Sequence, residues 1–190
     1  MKTSPPQSAV KRILDATAVL YAERGPSAVT MDDIAAAAQC GRTTLYRYFK
    51  DRHSLQIAYA VREAVRLIEL ASFENTRRAD PGEQLGQKVL AILRLVRSTP
   101  EAAQWYGSHD NDLIRGIVEA PEVVAALSEH CLSGSAATDG RTEWLIRMIH
   151  SLLLHPPLSP DREKIFALNY IGPILLTGNP DKVHSAERPI

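Results

Sequence analysis

Between Thr30 and Phe49 the chain reads Thr-Met-Asp-Asp-Ile-Ala-Ala-Ala-Ala-Gln-Cys-Gly-Arg-Thr-Thr-Leu-Tyr-Arg-Tyr-Phe. Two short helical stretches, Met31 to Ala38 and Arg42 to Phe49, are split by the turn Gln39-Cys40-Gly41. Ile34, Ala35 and Ala38 fall on one face of the first stretch, and Leu45 and Phe49 on one face of the second. Alanines at a crossing let two short helices approach closely at a steep angle, which is the geometry of a helix-turn-helix. The second stretch then exposes Arg42, Thr43, Thr44, Tyr46, Arg47 and Tyr48. Guanidinium groups for guanine edges, threonine methyls for thymine and phenols for phosphate oxygens make a set that can read a major groove.

The flanking sequence is helical as well. Prolines and glycines punctuate it at Gly25-Pro26, Pro81-Gly82, Pro100, Pro121, Gly140, Pro156-Pro157 and Pro160, with Ala-, Leu-, Arg- and Glu-rich stretches between them. Apolar residues recur at three- and four-residue spacings, as at Ile13, Thr17, Leu20 and Tyr21 or Ala58, Val61, Val65 and Ile68. No stretch alternates as a strand would. The fold class is all-α, with about nine helices. Thr30 with Asp33 three residues on predicts a capping box at a helix start. Gly25-Pro26 predicts the end of the first helix, because proline disfavours helical backbone in its predecessor. Pro81, Pro121 and Pro160 stand where a first-turn proline is tolerated.

Charge separates the head from the body. The chain carries 22 Lys/Arg against 22 Asp/Glu, a formal net charge of zero. Residues 1–62 hold nine basic side chains against five acidic ones, hence +4 there and −4 in the remainder. That distribution suits a protein that meets a polyanion with its head alone. No apolar run approaches the roughly 20 residues that cross a bilayer, so no membrane partner is expected. Two cysteines, Cys40 and Cys131, and no visible secretory signal point to a cytoplasmic protein. His109, His130, His150 and His155 do not form the His-x-x-His or His-x-x-x-His spacing of a metal site. No paired nucleophile and base and no Gly-rich phosphate loop appears, so neither an enzyme nor a cofactor is expected.

Residues 10–60 resemble the DNA-binding domain of the tetracycline-repressor (TetR) family. The matching elements are Tyr21-Ala22-Glu23-Arg24-Gly25 at the end of the first helix, Thr30-Met31-Asp32-Asp33-Ile34-Ala35, and Thr44-Leu45-Tyr46-Arg47-Tyr48-Phe49. Three positions depart from the family pattern. Gln39 stands where the turn usually has Gly, so a side chain is expected in a conformation where glycine is cheapest. Cys40 replaces a frequent Val. Gly41 replaces a capping hydroxyl and makes a weaker cap.

The resemblance implies a homodimeric, ligand-responsive transcriptional regulator, in sense a repressor. Its helix-turn-helix DNA-binding domain would occupy residues 1–55, and its ligand-binding and dimerisation domain residues 56–190. The partners implied are double-stranded DNA, a second copy of the chain and a small apolar or amphipathic effector. Arg42, Thr43 and Thr44 would read bases; Thr30, Tyr46, Arg47, Tyr48, Lys50, Arg52 and His53 would contact the backbone around them. Trp105, Tyr106, His109, Leu113, Ile114 and Ile117 would line the effector pocket, an apolar surface with few polar groups. Leu145, Met148, Ile149 and Leu152 on one helix and Phe166, Tyr170 and Ile174 on the next would form an intersubunit four-helix bundle. The competing reading is a ligand-independent DNA-binding regulator or adaptor whose body cavity is filled.

Overall fold

The computed structural model describes residues 6–73, 80–100, 102, 111–131 and 140–177. All the regular structure among them is helical. The elements are α1 (Pro6–Arg24), α2 (Met31–Ala37), α3 (Arg42–Tyr48), α4 (Arg52–Phe73), α5 (Pro81–Ser98), α6 (Asn111–Val118), α7 (Pro121–Cys131) and α8 (Arg141–Leu154). A last helical stretch, α9, begins as Pro160–Ile165, widens into a π-helix at Phe166–Ile171 and closes as Gly172–Thr177. The helix starts at Pro81, Pro121 and Pro160 fall where the sequence predicts them.

The chain divides into two compact units. One comprises the chain up to Leu67 with Leu95–Leu127, and the other Ile68–Arg94 with the chain from Ser128 onward. The expected domain boundary at residues 55 and 56 falls within the first turn of α4, which runs unbroken through it.

In the first unit, Ile13, Thr17 and Tyr21 recur every four residues on α1 and are fully buried. The Thr17 hydroxyl donates to the Ile13 carbonyl at 2.8 Å, which satisfies a polar group inside an apolar stripe. Helix α1 stops at Gly25, whose φ of 74° lies in the left-handed region. The next elements form the expected two-helix pair. Ile34, Ala35 and Ala38 are buried along with Leu45 and Phe49, and α2 packs on both α1 and α3.

The second unit is built around α5, α8 and α9. Leu85, Val89 and Leu93 cluster with Leu145 and Leu152 and with Ala167, Ile171 and Leu175, while Trp144, Met148, Ile149 and Leu153 pack against that cluster. Glycines set its tightest crossing. A Cβ on Gly172 would lie 2.0 Å from the Gly82 carbonyl oxygen, and one on Gly86 would lie 2.6 Å from the Ala167 carbonyl oxygen. The periodicity of this segment did not predict the π-helix. Its i to i+5 closure, marked by Gly172 N–H donating to the Ala167 carbonyl, brings residues five apart onto one face. Ala167 and Gly172 therefore both meet α5.

Candidate nucleic-acid interface

The interface is built on a firmly capped frame. Thr30 is the N-cap of α2: its hydroxyl accepts from the Asp33 backbone N–H at 3.2 Å and donates to the Asp33 carboxylate at 2.7 Å. The Thr30 backbone N–H returns to the same carboxylate at 2.9 Å, which completes the capping box. Those bonds from Thr30, with Arg24 adding its charge from 3.4 Å, hold the Asp33 carboxyl below the usual carboxylate range.

The other end of α2 closes as a Schellman motif. The Cys40 N–H donates to the Ala35 carbonyl and the Gln39 N–H to the Ala36 carbonyl, both at 3.0 Å. Gln39 occupies the left-handed position with φ of 49°, as its place in the sequence predicts. Arg12 on α1 donates from Nε to the Ala38 carbonyl at 3.0 Å and so ties the turn to the first helix. Gly41, the N-cap of α3, offers no side-chain cap. The Cys40 thiol is half-buried in this turn, and burial raises its pKa.

From this frame α3 presents Arg42, Thr43, Tyr46 and Arg47 to solvent, with Thr44 and Tyr48 half-buried. Tyr46 is 41% exposed, so at least one of the two phenols faces outward, as their spacing requires. Arg42 lies 6.0 Å from the Tyr46 ring centroid and Arg47 lies 5.1 Å from that of Tyr48. Lys50 and His53 are exposed just beyond. Asp51 starts α4: its carboxylate accepts from the Ser54 N–H at 2.7 Å, while its own N–H donates to the Ser54 hydroxyl at 3.1 Å.

Two residues given to phosphates on sequence grounds are engaged within the head. The Thr30 hydroxyl is spent on its capping box. Arg52 is half-buried and turns Nη2 inward, onto the Pro26 carbonyl and onto the Ser27 carbonyl at 2.8 Å. It thereby fastens the start of α4 to the loop that leads into α2.

The remaining candidates divide by place. Trp105, Tyr106 and His109 lie outside the described residues. Leu113 and Ile114 fall on α6, with only their backbone described, and Ile117 on the same helix is buried. In the second unit, Leu145 and Leu152 are taken up by the unit's own core, with Met148 and Ile149 packed against it. Phe166, Tyr170 and Ile174 are exposed on α9, at 40%, 55% and 53%.

Two residues near this face were not legible in the sequence. Asp32, in the first turn of α2, places its carboxylate 3.0 Å from Arg42 Nε. Gly116, on α6 and in the same unit as the head, sits where an added Cβ would meet the His53 ring at 3.4 Å. Neither relation follows a helical spacing, since each joins separate elements.

A family model described as bacterial regulatory proteins, tetR family, matches residues 13–59. An HTH-type transcriptional regulator of Mycobacterium tuberculosis is 34% identical over 172 residues, which covers 88% of this chain and 85% of that protein. Among solved structures, the TetR family repressor AlkX from a Dietzia species, implicated in biodegradation of n-alkanes, aligns with a TM-score of 0.66 at 24% identity. It covers 93% of this chain and 98% of that one. The R. erythropolis transcriptional repressor QsdR, from the TetR family, aligns with a TM-score of 0.68 at 19% identity over 91% of this chain and 96% of that one. Both structural likenesses concern the fold.

Proposed function

Because the chain belongs to the tetR family of bacterial regulatory proteins, and so is a DNA-binding transcriptional regulator and not an enzyme, we propose that it acts in the cytoplasm as a homodimeric repressor. It binds a pseudo-palindromic operator, and a small apolar or amphipathic ligand releases it. The observation that carries this reading is the outward face of α3, where Arg42, Thr43, Tyr46 and Arg47 stand exposed beside an α2 that is capped at both ends.

Arg42, Thr43 and Thr44 read base edges, and Tyr46, Arg47, Tyr48, Lys50 and His53 contact the backbone. Thr30 and Arg52 serve by holding the frame that aims them. Phosphate neutralisation supplies most of the affinity, and a dimer sets two such faces about 34–36 Å apart in successive major grooves. The exposed Phe166, Tyr170 and Ile174 support α9 as the pairing face, since large apolar groups in solvent favour a partner surface.

The closeness of Gly116 to the His53 ring, which an added Cβ would meet at 3.4 Å, supports ligand control. Helix α6 carries Leu113, Ile114 and Ile117 of the effector-pocket set, and the same helix reaches the first turn of α4 at the base of the head. A ligand that favours one position of α6 biases the head through that close approach, by no more than its differential affinity for the two arrangements.

The test is in vitro selection from random duplex DNA with the wild-type protein, Tyr46→Ala and Arg42→Ala. The wild type is expected to enrich a two-fold symmetric motif, Tyr46→Ala to bind all DNA more weakly, and Arg42→Ala also to relax the sequence preference. A folded, dimeric wild type that enriches nothing overturns the operator reading.

A further inference from the structure

The head is a cationic face, yet Asp32 places a carboxylate on it, on the first turn of α2 and beside the first residue of α3. The carboxylate lies 3.0 Å from Arg42 Nε; both side chains are well exposed, at 59% and 65%. Its neighbour Asp33 has a structural duty in the capping box, and Asp32 has no part in that box. A carboxylate near a phosphate backbone weakens binding unless it acts on something else. Here that something is Arg42, whose guanidinium lies near both the Asp32 carboxylate and the Tyr46 ring.

The geometry of the pair decides what it can do. The carboxylate pairs with the guanidinium at its Nε edge, and an arginine engaged at that edge keeps Nη1 and Nη2 as a two-donor fork. That fork matches the paired acceptors O6 and N7 of guanine. The carboxylate also cancels the arginine's charge locally, so Arg42 loses value as an indiscriminate phosphate anchor and keeps its value for a bidentate base edge.

We propose that Asp32 is a positioning residue for sequence reading: it holds Arg42 by Nε, aims its terminal fork at a base edge and suppresses its pairing with phosphates. The proposal rests on the reading of α3 as the recognition helix.

The experiment is a double-mutant cycle of wild type, Asp32→Asn, Arg42→Gln and the double variant, all as full chains. Binding is followed by fluorescence anisotropy across a salt series, on random-sequence duplex and on the selected operator. Asp32→Asn is expected to tighten binding to random duplex by up to about fivefold, the scale of an exposed ion pair. It should also steepen the log–log salt dependence by about one. Operator affinity gains less, so the ratio of operator to random binding falls. In the Arg42→Gln background Asp32→Asn changes neither ratio nor slope.

Equal tightening on both DNAs, undiminished in the Arg42→Gln background, would reduce Asp32 to bulk negative charge and overturn the proposal. So would a lowered melting temperature with an unchanged salt slope, which is the signature of a purely helix-stabilising acid. Asp32→Ser, which keeps a polar group in the first turn, replaces Asp32→Asn if the latter fails to fold. If the wild type selects no sequence, the operator reading fails, while the random-duplex arm still decides whether Asp32 restrains Arg42.

Discussion

Arg62 on α4 grips Asp15 on α1: its Nη1 lies 2.8 Å from the Asp15 carboxylate, and its Nη2 donates to the neighbouring Leu14 carbonyl at 2.9 Å. The same guanidinium lies 5.6 Å from the Tyr59 ring centroid, and Tyr59 meets Tyr21 of α1 edge-on with centroids 5.2 Å apart. One side chain thus joins the long helix α4 to the first helix of the head. Arg62→Met keeps the apolar stem and removes those bonds. It is expected to cost about 1–2 kcal/mol, read as a lowered urea midpoint, because a charge-assisted bond to a carbonyl is lost with the ion pair. An unchanged midpoint would mean that the Arg62 bonds add nothing to the hold on α1.

Gln39 is the one non-glycine residue with positive φ among the described residues. A Cβ in the left-handed region is strained, and glycine relieves that strain while adding entropy to the unfolded chain. The net expectation for Gln39→Gly is a stabilisation of about 0.5–1 kcal/mol, seen as a higher melting temperature. A decrease would mean that the glutamine side chain contributes more than its backbone strain costs.

The closest helix crossing makes the opposite demand. Gly172→Ala would drive a methyl to 2.0 Å from the Gly82 carbonyl oxygen, a backbone atom with no rotamer to give way. Overpacking of this kind is expected to cost about 2–3 kcal/mol, measured by thermal or urea unfolding. Tolerance of the alanine would show that α5 and α9 can separate cheaply.

Acid should loosen the head through Asp33. Its folded carboxyl sits below the ordinary range, chiefly because Thr30 donates to it. A depressed folded value means that the unfolded chain takes up the proton first as pH falls. The contribution is fully present above about pH 5 and is lost as pH drops below about 4 toward the folded value. Asp51, held by Ser54, and Asp15, held by Lys11 and Arg62, shift in the same direction. Asp33→Asn should therefore lower the melting temperature at pH 7 and flatten, without abolishing, its fall between pH 5 and pH 3. An unaltered pH profile would exclude the capping box as an acid-sensitive element.

Tyr170 and Ile174 test the pairing face. Aspartate at both positions places charge on an exposed apolar surface of α9, away from the Leu145 and Leu152 core. Sedimentation of the double variant should show a monomer with operator affinity lost, against a wild-type dimer. A variant that stays dimeric would move the interface to another surface.

Local chemistry along the chain was enough to read the head. Thr30 with Asp33, Gly25 before Pro26, and the apolar positions Ile34, Leu45 and Phe49 each act within a turn or two, so spacing alone places the caps, the turn and the buried face. The strained Gln39 was legible through the family resemblance, which puts a glycine at that turn position. What the tertiary structure decided concerns partners far apart in sequence. Arg52 reaches back to Pro26 and Ser27, Asp32 meets Arg42 across the turn, and Gly116 arrives beside His53 from another helix. Leu145 and Tyr170 look alike as apolar positions on amphipathic helices, yet one lies in the core and the other in solvent. A helical period says which residues share a face, and only the packing of α5 against α8 and α9 determines which of those faces the chain covers for itself.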